Sequence, residues 1–156
     1  MNTFGRLSHD WIGLVLRLTV GGILFPHGAQ KVFGWFGGPG FAGEMDHLTT
    51  DVHLPVFVAL AVIIVELVGS LCLILGLASR FWAAACVGLM IGIIFVAHLP
   101  YGFFMNWFGT QPGEGIEYHL LMIGTAVALF IHGGGGLTIQ SLVKPFSRPY
   151  SGHNLS

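Results

Sequence analysis

The sequence predicts an all-α fold, an integral membrane four-helix bundle, and three observations carry the prediction. Hydrophobic residues make up 54% of the 156-residue chain and charged ones only 8%, where a soluble domain carries about a quarter charged. Mean hydropathy is correspondingly high at +0.79. Four stretches approach the roughly 20 apolar residues that a helix needs to cross the hydrocarbon core. The 24 glycines and 13 phenylalanines suit helices packed closely in lipid, where small residues let backbones approach. The formal net charge of -1 provides no basic patch for phosphates, which argues against a nucleic-acid partner.

The predicted helices run over residues 11–33, 55–77, 81–99 and 116–133. The first carries Arg17, His27 and Lys31 and ends in the glycine-rich "FGWFGGPG". Arg17 interrupts what would be the apolar region of a signal peptide and no A-x-A-like site follows, so this helix is read as retained. The second, within "VALAVIIVELVGSLCLILGL", has Glu66 as its one charge. Only "ASR" at 78–80 separates it from the third, which makes the two a tight helical hairpin. The fourth opens with Glu117 in "GIEYHLLM" and stops at "GGGG", 133–136. The chain thus divides into an N-terminal segment (1–10), one membrane domain (11–133) and a C-terminal tail (134–156).

Charge assigns the sides. Arg6, Arg80, Lys144 and Arg148 fall in the N-terminal segment, the short turn and the tail, while Glu44, Asp46, Asp51 and Glu114 fall in the loops at about 34–54 and 100–115. The positive-inside rule then places both termini in the cytoplasm and the protein, multi-pass, in the cell (inner) membrane among its lipids. Trp35, Phe36, Phe41, Tyr101, Phe103, Phe104, Trp107 and Phe108 gather at the outer boundary, where an aromatic belt sits. "HGAQKVFGWFGGPG" and "HLPYGFFMNWFGTQPG" both run from a histidine to Trp-Phe-Gly and then Pro-Gly. Either two hairpins repeat in parallel orientation, or two aromatic loops resemble each other by chance.

Ionisable groups inside such a bundle are the candidate functional residues. At about 100° per residue, Arg17, His27 and Lys31 share an arc of about 80°, and charge avoids lipid, so the stripe is expected to face the interior. Glu66 needs a partner or a proton. Counted from the cytoplasmic helix ends, it lies about 7 Å deeper than Arg17, so an Arg17–Glu66 pair is expected, with His27 as the competing partner. Near the outer face His27, Lys31, His98, Glu117 and His119 form a second set. The structural alternatives are a register-fixing ion pair and interfacial histidines. His27, His98 and His119 are metal-ligand types, but no HxxxH or HExxH spacing is present and no metal site is assigned. A haem held between His27 and His98 is geometrically conceivable. Cys72 and Cys86 lie fourteen apart without a CxxC motif, and read as small buried residues, with a disulfide open only if both sit at one depth.

The stretch "LRLTVGGILFPHGAQKVFGWFGG", followed by "VELVGSLCLILGLASR", resembles the DoxX family of small four-helix membrane proteins. The likeness covers roughly residues 10–133 and rests on Arg17-Leu18, His27-Gly28 with Lys31, Glu66-Leu67 with Gly69, and Gly76 with Arg80. The family is similar to the quinone-linked subunit of archaeal thiosulfate:quinone oxidoreductase, and its members are described as oxidoreductases or redox-partner membrane subunits. The resemblance therefore implies a quinone and a soluble or membrane oxidoreductase partner. No flavin, nicotinamide or iron–sulfur motif is present, so electron transfer would use a bound quinone or a partner's cofactor. Reduction places negative charge on quinone oxygens and requires protons. On this reading His27 and Glu66 are the catalytic candidates, as proton relays, and Arg17, Lys31, His98, Glu117 and His119 bind substrate. The alternative is a non-enzymatic assembly or partner-docking protein whose polar core only holds four helices in register.

Overall fold

A chain this apolar must satisfy its backbone internally in lipid, which favours helices, and among the described residues all regular structure is helical. The computed structural model describes residues 3–139. Helix α1 (Thr3–Phe33) takes in most of the expected N-terminal segment as well as the first span, and carries Pro26 within it. Past a turn of glycines, α2 (Gly40–Asp46) is a short helix in the first loop, continued by a wide π-helical turn at His47–Asp51. Helix α3 (Val56–Leu75) and helix α4 (Ser79–Tyr101) form the expected hairpin. Each contains a π-helical turn, Val65–Gly69 around Glu66 and Ile94–His98 ending at His98. Such turns widen the helix locally and recur at functional sites. Helix α5 (Glu117–His132) completes the bundle.

Residues His9–Phe33, α3 and α4 are each long and apolar enough to cross a membrane. The 16 residues of α5 rise only about 24 Å, short of a core about 30 Å thick. The 102–116 loop extends this corner of the bundle: Ile116 and Glu117 donate their N–H groups to the carbonyls of Gly102 and Phe103 at 3.1 and 2.9 Å. Helix α1 packs chiefly on α3, and α4 on α5. Between them lies a core that includes Val20, Leu24, Leu73, Cys86, Met90 and Met122. Phe57, Phe81, Phe95, Leu121 and Ile131 are exposed on the outer faces, where lipid replaces water as the solvent.

Glycine sets the register of α1 on α3. A Cβ at Gly21 would meet the Ser70 carbonyl at 2.8 Å, and one at Gly28 would meet the Leu67 backbone at 2.6 Å. Backbones this close need a residue without a side chain. The register also corrects the expected Arg17–Glu66 pair, which does not form. With Gly28 level with Glu66 and Leu67, Arg17 lies about 16 Å away along the axis, a distance its side chain does not span. Counting from sequence-assigned helix ends had made that offset too short by more than a turn. Arg17 is fully buried and instead donates to the carbonyls of Leu73 (3.3 Å), Ile74 (3.1 Å) and Leu137. The last carbonyls of a helix lack partners within it and carry its negative dipole end, so both Nη groups of the guanidinium find acceptors there, while the buried Nε has none among the described residues.

The same end is closed by the glycine run after α5. Gly136 donates its N–H to Asp10 Oδ1 at 2.5 Å, Arg80 Nη2 reaches the Ile131 carbonyl at 3.3 Å, and the His9 and His132 rings stack 4.0 Å apart. Lys144 and Arg148, which figure in the expected orientation, lie outside the described residues.

Candidate functional site

Three helices converge at the opposite end, near the long loops. Lys31 comes from the last turn of α1, Glu66 from the π-helical turn of α3, and Glu44 from α2. Gly34, at φ 71°, begins the reversal that folds α2 back toward α1, a left-handed conformation that glycine adopts without steric cost. Lys31 Nζ lies 2.9 Å from Glu44 Oε1 and 3.6 Å from Glu66 Oε2. Both carboxyls are buried, Glu44 at 5% exposure and Glu66 at 4%. Two buried carboxyls share one ammonium, so the cluster is balanced only with a further proton or a donor from a ligand. Glu66 Oε2 accepts no hydrogen bond and so has acceptor capacity to spare.

This cluster forms the head of a cavity of about 550 Å³, within the size range of small-molecule sites. Val58, Val62 and Val65 of α3 face Gly88, Leu89 and Gly92 of α4 across it, and Leu48 and Leu54 border it from the first loop. The α4 wall is open because a Cβ at either Gly88 or Gly92 would meet nothing within 4 Å. The arrangement is an apolar trough with one charged end. His47, paired with Asp51 at 2.9 Å, also borders the cavity.

Lys31 and Glu66, both read from sequence, thus meet in one site. The other candidates separate. Arg17 caps α3 at the opposite end, and His27 is exposed on α1, at the edge of the arc shared with Arg17 and Lys31. The His98 ring lies against His119, tilted by 41° with ring centres 4.3 Å apart, and its Nδ1 bonds to the Glu114 carbonyl at 2.8 Å. That places the imidazole of His98 on His119, whereas the conceivable haem needed it to face His27. Glu117 accepts the Met105 N–H at 3.3 Å and so helps to hold the second loop. Among the described residues no group of three His, Cys, Asp or Glu side chains is placed to hold a metal ion. Cys72 and Cys86 are free thiols.

Sequence reasoning missed Glu44, the ion-pair partner of Lys31. Its one local signal is the spacing to Leu48: the two lie four apart and both are buried, as residues on one helix face are. In a loop rich in charge and glycine, that pattern is faint.

The DoxX family model matches residues 12–99 of the chain, which include Lys31, Glu44, Glu66 and both walls of the trough. The chain is also similar to the protein named "Putative oxidoreductase CatD" of Bacillus subtilis (strain 168). The two are 28% identical over 130 residues, 83% of this chain and 85% of that protein. No solved structure matches.

Proposed function

The chain belongs to the DoxX family, and on that premise we propose that it is the quinone-interacting membrane subunit of an oxidoreductase system. One observation carries the reading: the apolar trough between α3 and α4 ends in a buried Lys31–Glu44–Glu66 cluster. An aromatic ring with polar oxygens and a long apolar tail has that same division of character. When bound, a quinone supplies two-electron chemistry coupled to two protons. Lys31 binds the oxygen that gains negative charge, with the strength a low-dielectric surrounding gives. Glu66, its Oε2 free of other bonds, holds or releases a proton at that end. The valines of α3 and Leu89 exclude water, while Gly88 and Gly92 leave room for a tail. Electrons come from a partner oxidoreductase, as they do not from any cofactor motif of this sequence.

The basic residues of the tails and the 78–80 turn support an orientation with both termini cytoplasmic in the cell membrane, which puts the cluster toward the outer leaflet. A partner-docking role is the second reading. It is favoured by Trp107 and Phe108, 78% and 90% exposed, on a loop braced by two Asn106–Gln111 hydrogen bonds of 3.0 Å.

Titration of ubiquinone-1 and menaquinone-1 into the purified protein in lipid nanodiscs tests the first reading. At least one is expected to bind saturably, and Lys31→Gln and Gly88→Leu are each expected to weaken it at least tenfold. Absence of saturable binding to the wild type would overturn the proposal and leave the docking role.

A further inference from the structure

The end of the bundle opposite the trough holds two guanidinium groups without a counter-ion. Arg17 is fully buried; its Nη groups bond to main-chain carbonyls and its Nε has no acceptor among the described residues. Arg80 is exposed and makes one bond, from Nη2 to the Ile131 carbonyl at 3.3 Å, which leaves most of the five guanidinium donors unused. Among the described residues neither arginine forms an ion pair. Asp10, the one carboxylate of the sequence at this end, instead accepts the Gly136 N–H at 2.5 Å. A buried charge is costly unless it is paired as well as hydrogen-bonded, so this end calls for an anion.

A second cavity, of about 300 Å³, opens there between the start of α4 and the glycine run that follows α5. Ser79 and Arg80 line one side, Gly133 and Gly134 the other, and Gly76 borders it from the end of α3. Ser79 is 7% exposed, and its hydroxyl bonds to no described residue. That hydroxyl is aimed at the glycine run: a Cβ at Gly134 would meet Ser79 Oγ at 2.6 Å, and one at Gly133 would meet Arg80 Nε at 3.2 Å. A side chain on the run would therefore fill the space in front of both donors. Arg17 lies beside the same glycines, with Nη1 2.5 Å from a Cβ built at Gly76 and Cδ 3.5 Å from one built at Gly134. Helix α4 begins here on Ala78, which supplies no side-chain cap. The N–H groups of its first turn thus lack acceptors and carry the positive end of the helix dipole.

We propose that this recess binds a phosphate group, held by the Arg80 guanidinium, the Ser79 hydroxyl and the first-turn N–H groups of α4, beside the buried charge of Arg17. Arginine forks and helix N-termini both match phosphate oxygens. The 78–80 turn also joins the ends of two membrane spans, which sets it at the level of lipid headgroups, where phosphate is the abundant anion. A phospholipid headgroup and free phosphate share this chemistry. The recess lies several helical turns from the trough, so it stands or falls apart from the quinone reading.

Thermal unfolding of the full chain in dodecyl maltoside, a detergent without phosphate, tests the site. One arm adds sodium phosphate, against sodium chloride at the same ionic strength. The other adds dioleoyl phosphatidylglycerol, against dioleoylglycerol. A saturable rise in melting temperature is expected in at least one arm and in neither control. A rise in both arms assigns the site to phosphate as such, a rise with phosphatidylglycerol alone to a lipid headgroup, and a rise with sodium phosphate alone to a soluble ligand. Half-saturation is expected at about tenfold higher concentration in Arg80→Gln and about threefold higher in Ser79→Ala. Arg80→Lys keeps the charge and loses the fork; its half-saturation should also rise, and it serves where Arg80→Gln does not fold. No saturable rise in either arm overturns the site. So does a rise matched by the controls, or one that the Arg80 and Ser79 variants leave unchanged.

Discussion

Among the described residues Lys31 is the one cation paired with the Glu44 and Glu66 carboxyls, and its loss should be felt more than the loss of either acid. Lys31→Met strands Glu44 and Glu66 in an apolar setting, a change that costs about 3–5 kcal/mol when one partner of a buried pair is removed. Glu66→Gln keeps a neutral, hydrogen-bonding group and leaves the Lys31–Glu44 contact of 2.9 Å intact, so it should cost less. The double variant Lys31→Met/Glu66→Gln should be more stable than the sum of the singles predicts. Arg17→Met and Glu66→Gln, separated by several helical turns, should add within about 0.5 kcal/mol. Thermal unfolding in detergent measures all of these. Coupling between Arg17 and Glu66 would contradict the register described above, and additivity between Lys31 and Glu66 would contradict their pairing. The sequence made a buried Arg17 and a buried Glu66 legible, because charge inside a membrane span must face the bundle. It did not show which cation meets Glu66. That depends on how far α1 slides along α3, which Gly21 and Gly28 decide in three dimensions.

At the scale of elements, the same glycines give the clearest contrast. Gly28→Ala places a methyl group against the Leu67 backbone, where the neighbour is main chain and cannot turn aside. Overpacking of this kind costs about 1–3 kcal/mol. Gly22→Ala, where a Cβ meets nothing within 4 Å, should instead be neutral or stabilise by up to about 1 kcal/mol through helix propensity. Melting temperatures of the two variants, compared in one detergent, check the contrast, and equal values would dismiss the seam as the register device. Long apolar runs made the helices legible: α3 and α4 begin and end within a few residues of their expected bounds. Glu44 and the trough were not legible, because they arise from α2 folding back under a loop. No periodic pattern announces that packing. The π-helical turn at Val65–Gly69 is equally silent in sequence, since Val65 to Val68 are ordinary helix and strand formers. Gly88→Leu belongs to this scale too. It should leave stability within about 0.5 kcal/mol of wild type, as an exposed substitution does, while closing the trough to ligand.

For the whole molecule the organising fact is a division between two ends. One end carries Arg17, Arg80 and the glycine run against α1; the other carries Lys31, Glu44 and the aromatic loops. In a membrane those ends face different compartments, and the chemistry proposed for the trough needs its charged head near one definite surface. The charge bias is slight: among the described residues Arg6, Arg17 and Arg80 belong to one end, with Lys31 the one lysine or arginine at the other. Lys31 counts weakly toward orientation because it is half-buried and neutralised by Glu44 and Glu66. With Lys31 discounted, the bias points one way, and the termini should be cytoplasmic. Cysteine labelling in intact cells decides it, in a background with Cys72→Ala and Cys86→Ala so that no native thiol reports. Gly43→Cys, at an exposed position of α2, should react with a membrane-impermeant thiol reagent from outside, and Tyr150→Cys should react only after the cells are opened. The reverse pattern would put Glu44, Glu66 and the trough beside the cytoplasm, where a soluble cytoplasmic electron donor would reach the charged head directly, and the outer-leaflet placement would have to be abandoned.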